Sequence, residues 1–167
     1  MKPTRIWPAT ILLLAWATAA AARPPRAELV GLRLGMPEGE AQARLAKLGT
    51  RTAEKPLERE SEEQESWSLR HGPWGYVSFG VEAGRVRWVT AFGRREGPRV
   101  RYRDLGSLAE CRRSGTYFFT WKVPPRRKAA AYTVIARGAD SVYVGSVSLL
   151  GSAGRSLPEP PSDPDKR

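Results

Sequence analysis

From Trp67 to Leu150, apolar and polar residues alternate with a period of two, the signature of strands with one dry face and one wet face. Trp67 and Leu69 alternate with Ser68 and Arg70. After a turn at "GPWG" (72–75), Val77, Phe79 and Val81 alternate with Tyr76, Ser78 and Gly80. "EAG" (82–84) predicts a three-residue hairpin loop with Gly84 in its left-handed slot. The next strand is expected to carry Val86, Trp88 and Phe92 on the dry side and Arg85 and Arg87 on the wet side. Together these segments predict a three-stranded antiparallel meander. Further on, Tyr117, Phe119, Trp121 and Val123 alternate against Phe118, Thr120 and Lys122, and "PPRRK" (124–128) is a basic loop. Strands at 131–137 and 141–150 follow, joined by the hairpin loop "GAD" (138–140).

Helical signals precede each group of strands. "ELVGLRLG" (28–35) spaces Val30, Leu32 and Leu34 as an extended segment. Pro37 then suits a first helical turn, Glu38 and Glu40 suit the positive end of a helix dipole, and Gly49 is a natural left-handed stop. Pro37, Ala41, Leu45 and Leu48 make a narrow apolar stripe, enough to cover a sheet. In "SLAECRRSG" (107–115), Ser107 and Glu110 have capping-box spacing, and Gly115 closes about two turns of helix. Residues 50–66 carry six glutamates and predict a solvated loop or an extra helical turn, with an acidic docking loop as the alternative. The fold class expected is α+β: an antiparallel β-meander sheet with short helices on one face, in an order compatible with two tandem helix-plus-three-strand units. The helical starts lie about 70 residues apart, but identity between the halves is too low to establish duplication.

The ends of the chain change the picture. Lys2 and Arg5 precede an uncharged run of 14 residues, 9–22, that closes in alanines. A spanning helix needs roughly 20 residues. The pattern is that of a signal peptide at 1–22, cleaved before Arg23, which places the mature protein in the periplasm or outside the cell with no transmembrane helix. The tail 151–167 is rich in Pro, Ser, Gly and charge and is expected to be disordered. One domain, 27–150, remains. Its single cysteine, Cys111, can form no internal disulfide and is expected to be a small buried apolar residue.

Charge is uneven. Residues 23–83 carry 9 basic and 10 acidic groups, residues 84–137 carry 14 and 3, and residues 138–167 carry 3 and 4. The second half is therefore a cation, drawn to anionic partners. Seven arginines fall between Arg85 and Arg103, interleaved with Trp88, Phe92 and Tyr102. That mixture suits single-stranded nucleic acid, but export argues against such a partner and strand alternation accounts for part of the pattern. The other reading is a solvated basic face.

No catalytic constellation is visible. His71 is the single histidine and sits in a turn. One His with one Cys makes a poor zinc set, and no nucleophile elbow or phosphate loop is present. The glutamates from Glu54 to Glu65 lie in a polar stretch with no apolar wall to shift a pKa. The protein is expected to be no enzyme and to use no cofactor or metal.

"GLRLGMPEGEAQARLAKLG" (31–49) resembles the SmpA/OmlA family of small outer-membrane lipoproteins, in which Gly-Met opens a polar helix start and Leu-Gly closes the helix. The matching residues run from Gly35-Met36 to Leu48-Gly49. The order of elements is similar to that of the β-lactamase-inhibitory-protein family, which has two helix-plus-meander units in an exported chain. Two departures stand out: the chain has no cysteine for a lipid anchor, and Pro37 stands where a Ser or Thr cap is usual. The resemblance implies a binding or assembly role and assigns no contact residue. From the residues themselves, the expected contacts are Arg94, Arg95, Arg101, Arg103, Arg126 and Arg127, with Trp74 and Tyr76 as aromatic anchors. The expected partner is an envelope or secreted protein or an anionic envelope polymer, and a membrane surface is compatible. The alternatives are a secreted enzyme of unrecognised type and a structural envelope protein tethered by charge.

Overall fold

The computed structural model describes residues 25–52, 63–125 and 130–152. The 1–22 signal reading, Arg126 and Arg127, and all but two residues of the 151–167 tail fall outside the described residues. The expected α+β class is what the chain forms. A two-stranded hairpin, β1 (Glu28–Leu29) and β2 (Leu32–Arg33), leads into helix α1 (Glu38–Leu48) and four strands: β3 (Gly49–Thr52), β4 (Glu63–Leu69), β5 (Trp74–Glu82) and β6 (Arg85–Gly93). A second run begins with one helical turn, α2 (Tyr102–Leu105), and a 3-10 turn at Leu108–Glu110. It continues as β7 (Arg112–Arg113), β8 (Phe118–Val123), β9 (Tyr132–Arg137) and β10 (Ser146–Gly151). The long strands form one eight-stranded antiparallel sheet in the order β3-β4-β5-β6-β10-β9-β8-β7. Each meander runs inward from an outer edge strand to the centre, and the two meet where β6 pairs with β10.

The backbone repeats itself across that seam. Pro37, at the N-cap of α1, bridges Arg85 at the start of β6; Arg101, at the N-cap of α2, bridges Tyr143 just before β10. Around each bridge the bonds match. Glu38 and Tyr102 N–H donate to the carbonyls of Gly84 and Val142, and Val86 and Val144 N–H donate to those of Met36 and Val100. The β6–β10 register, from Phe92 opposite Ser146 to Trp88 opposite Leu150, puts Thr90 against Ser148 on a pseudo-two-fold axis, where their hydroxyls lie 2.9 Å apart. The units are thus a structural repeat of helix plus four strands. The sequence shows three per unit, because the outermost strands are short and polar.

All the helical cover among the described residues lies on one face. Ala41 and Leu45 of α1 and Tyr102 and Leu105 of α2 join Val77, Phe79, Val89, Ala91, Trp121, Val134, Val147 and Leu149 in one apolar cluster. Several expectations change at this level. Residues 28–35 are no single extended segment: Val30 (φ 55) and Gly31 (φ 77) make a tight turn that sets Leu29 opposite Leu32. Gly49 is extended rather than left-handed and starts β3, where any Cβ would collide with the Ser68 carbonyl. Leu48 stays largely outside the stripe, 44% exposed. Both ends of the 50–66 stretch are strand, so only 53–62 is left as connection, outside the described residues. The "EAG" loop is a two-residue turn, with Ala83 joining Gly84 at positive φ. The second helix comes earlier and is shorter than its signals suggest. Ser107 makes no side-chain cap, and the Asp104 carboxylate instead accepts the Arg101 N–H at 3.1 Å. Residues 138–145 form a loop longer than "GAD" before β10.

Candidate functional site

Bulges decide what the uncovered face of the sheet displays. Val81 pairs with Val86 but Gly80 pairs with Trp88, so Arg87 is an extra residue in β6 and the alternation slips there. Val86, Val89 and Ala91 point into the core, and Trp88, Thr90 and Phe92 point the other way. The expectation that Val86, Trp88 and Phe92 share the dry side is therefore overturned: Phe92 is 42% exposed. A second shift in register, between Trp74 and Tyr76, puts these two residues on opposite faces. Tyr76 joins Phe92 on the uncovered face, ring centroids 5.7 Å apart, and Trp74 packs half-buried against the core.

Three rows of side chains cross the uncovered face. The middle row follows the register Thr52, Ser66, Ser78, Thr90, Ser148, Ile135, Thr120, Arg112, with a hydroxyl on six of eight strands. Ser66 and Ser78 bond at 3.1 Å. On one side run Ser68, Tyr76, Phe92, Ser146, Arg137 and Phe118, with the Arg137 guanidinium 4.8 Å over the Phe118 ring. On the other run Gln64, Gly80, Trp88, Leu150, Thr133 and Lys122. Trp88 lies across Gly80, and a Cβ at Gly80 would strike its indole. Interior positions are neutral hydroxyls and rings, and the cations sit toward the β7–β9 side. No described helix packs on this face.

One end of the sheet carries the basic groups, where β6 runs out and the 138–145 loop returns. Arg94 is a clamp more than a free contact: it donates to the carbonyls of Gly72 (3.0 Å) and Leu69 and holds the β4–β5 turn. Arg95 is exposed, with no described acceptor for its side chain. Arg99 and Arg101 lie 5.5 and 5.9 Å from the centroid of the Tyr143 ring. Arg103 points outward from α2. None of these arginines forms an ion pair with a described carboxylate; the described pairs are Arg44–Glu40, Arg51–Glu65 and Arg87–Glu82. Asp140 shares this end. Its Oδ1 accepts the N–H groups of Tyr143 (2.6 Å) and Val142 (2.8 Å), and these bonds hold its carboxyl below the usual range, with Arg99 adding to the effect. The expected contacts left out Arg99, although it stands in the same basic stretch as Arg94 and Arg95, and they left out Arg137, Phe118 and Tyr143, which segments far apart in the chain bring in.

Two cavities flank Trp74. A cavity of about 410 Å³ lies on the covered side, with Val147 and Leu149 in its floor and Arg26, Glu28 and Asp104 among its polar lining. A smaller one, about 210 Å³, lies at the basic end. Buried chemistry elsewhere is structural. Glu65, expected in a solvated polar stretch, is 5% exposed on the core face. It accepts bonds from Gln42 (2.6 Å) and the Trp67 indole (3.2 Å) and pairs with Arg51 at 3.0 Å. Cys111 is half-buried, its thiol donating to the Leu108 carbonyl at 3.1 Å, and burial pushes its pKa up. Burial also raises the Tyr102 phenol. His71 is exposed. Among the described residues no three His, Cys, Asp or Glu side chains come together as a metal set, and no helix is long and apolar enough to cross a membrane. No protein-family model, curated protein or solved structure matches the chain.

Proposed function

We propose that this protein is an exported, non-catalytic binding module of the cell envelope that holds a partner protein against the uncovered face of its sheet. One observation carries the reading: every described helix packs on one face, while the other carries Tyr76, Trp88 and the exposed Phe92 near its centre and hydroxyls on six of eight strands, of which Ser66 and Ser78 are buried against each other. Seven inter-strand spacings of about 4.8 Å make that face roughly 34 Å wide, wide enough for the ~800 Å² a stable interface takes from each partner. Its composition suits the task. Tyr, Trp, Phe and Arg are the residues enriched in interface centres, and neutral hydroxyls accept or donate without the cost of desolvating a charge. The arginines at the sheet end steer an acidic partner and raise its rate of encounter. The export pattern and the likeness of residues 31–49 to the SmpA/OmlA helix start agree with an envelope role.

The test is crosslinking in intact cells, followed by identification of the captured protein. Phe92→Asp places a charge at an exposed position in the centre of the face. It is expected to abolish capture while leaving the circular dichroism spectrum and the melting temperature unchanged. Capture by the variant at the level of the parent chain would overturn the reading.

A further inference from the structure

The small cavity at the basic end has a charge balance that nothing in the fold uses. Arg94, Arg95 and Arg99 all line it, against one carboxylate, Asp140. Three positive and one negative groups leave a surplus of two positive charges. Trp74 and Tyr143 supply its aromatic walls. We infer that this cavity is a binding site for a phosphate monoester dianion, held by Arg95 and Arg99 beside the fixed guanidinium of Arg94.

The geometry is set before any ligand arrives. Two carbonyls of the β4–β5 turn hold Arg94 in place. Arg99 rests over Tyr143, and its described hydrogen bond is a long one, 3.4 Å to the Arg95 carbonyl, so most of its donors remain available. Arg95 has no described acceptor. Asp140 is occupied by two backbone N–H groups and fixes the 138–145 loop that forms one wall. Three guanidinium groups around a single carboxylate repel one another, and an oxyanion that accepts bidentate bonds from them relieves that repulsion. A monoester carries close to two negative charges at neutral pH, which matches the surplus, whereas a carboxylate leaves half of it unmatched. The rings of Trp74 and Tyr143 favour an apolar or aromatic ester group over bare phosphate. This inference stands whether or not the uncovered face binds a protein.

The experiment is an amide NMR titration of the full chain at constant ionic strength with phenyl phosphate, inorganic phosphate and benzoate, and a sedimentation assay with vesicles containing phosphatidic acid. Phenyl phosphate is expected to give saturable shifts confined to Trp74 and residues 93–100 and 139–145, and to bind at least tenfold more tightly than benzoate. Its affinity is expected to fall as pH drops below about 6, where the dianion gains a proton. Arg95→Gln with Arg99→Gln is expected to weaken it at least tenfold, and Arg33→Gln to leave it unchanged. Vesicle binding lost in the double variant identifies a lipid headgroup as the source; phenyl phosphate binding without vesicle binding identifies a soluble ester. Shifts that do not saturate, that benzoate reproduces, or that survive the double variant would overturn the site. Loss of partner capture in Phe92→Asp bears on the other face only.

Discussion

The two halves of the sheet solve one packing problem with different parts. Register across the pseudo-two-fold axis places Trp67 in β4 and Trp121 in β8 at equivalent positions, both aimed into the core. In the first half an eleven-residue helix lies over the sheet, and the Trp67 indole turns to a neighbour in its own strand, Glu65. In the second half the helix stops after one turn at Gly106, a poor helix residue, where a Cβ would press on Pro25 and on the Trp121 ring. The chain then runs close enough for the Trp121 indole to donate to the Ser107 carbonyl at 2.8 Å. A full helix covers one half, and a large aromatic bonded to an irregular segment covers the other. The shortened helix goes with a lengthened β9–β10 loop, and that loop builds the basic end. The half that departs from regular structure therefore carries the candidate chemistry.

The contrast can be broken most directly at its two anchors. Trp121→Ala is expected to cost about 3–5 kcal/mol and Leu45→Ala about 2–5 kcal/mol, read as shifts in urea midpoint at constant slope. If the second half depends on its aromatic as argued, Trp121→Ala is the larger loss, and hydrogen exchange at residues 102–111 rises with it. Glu65→Ala leaves the Gln42 amide and the Trp67 indole without their acceptor and is expected to cost about 1–3 kcal/mol. The matching position in the second half is Phe119, which bonds to neither. Ala83 occupies a left-handed slot that Asn fills at lower cost, so Ala83→Asn is expected to add about 0.5–1 kcal/mol by the same urea measurement. Asp140 gives the finest distinction. Its carboxyl is more acidic folded than the ordinary 3.8, so its contribution is complete above that pH and is lost as pH falls below it. Asp140→Asn is expected to lower the urea midpoint at neutral pH, where the carboxylate's contribution is complete, and to flatten the dependence of the midpoint on pH so that the two chains converge in acid.

Where alternation is unbroken, the sequence is a sound guide to the fold. Val77, Phe79 and Val81, and later Phe119, Trp121 and Val123, point where their spacing says. The guide fails at single-residue events. The extra residue at Arg87 moves Phe92 from the core to the surface, and the shift before Tyr76 parts it from Trp74. The phase shift is masked here because both faces of β6 carry apolar residues, Val86, Val89 and Ala91 on one and Trp88 and Phe92 on the other, so two alternations fit the same stretch. The Ser-x-x-Glu spacing at Ser107 marks the start of a single 3-10 turn, Leu108–Glu110, without a side-chain cap, and the box forms earlier, where Asp104 accepts the Arg101 N–H. Of the expected contacts, Tyr76 lies on the uncovered face and Arg95 lines the basic cavity, while Arg94 is tied into a turn, Arg101 stands over Tyr143 outside that cavity, and Arg103 points outward from α2. The site itself was hidden because its walls come from residues 73–74, 93–100 and 139–145, and no local pattern relates them.

The seam between β6 and β10 also orders events in time. Thr90 and Ser148 are 58 residues apart in the chain, so this pairing closes a long loop and forms late. During synthesis, the first meander exposes the edge of a nine-residue strand until the other meander has been made. An unpaired edge of that length invites pairing with a neighbouring chain. Crowded expression is therefore expected to favour misassembly through β6, joined to the wrong molecule.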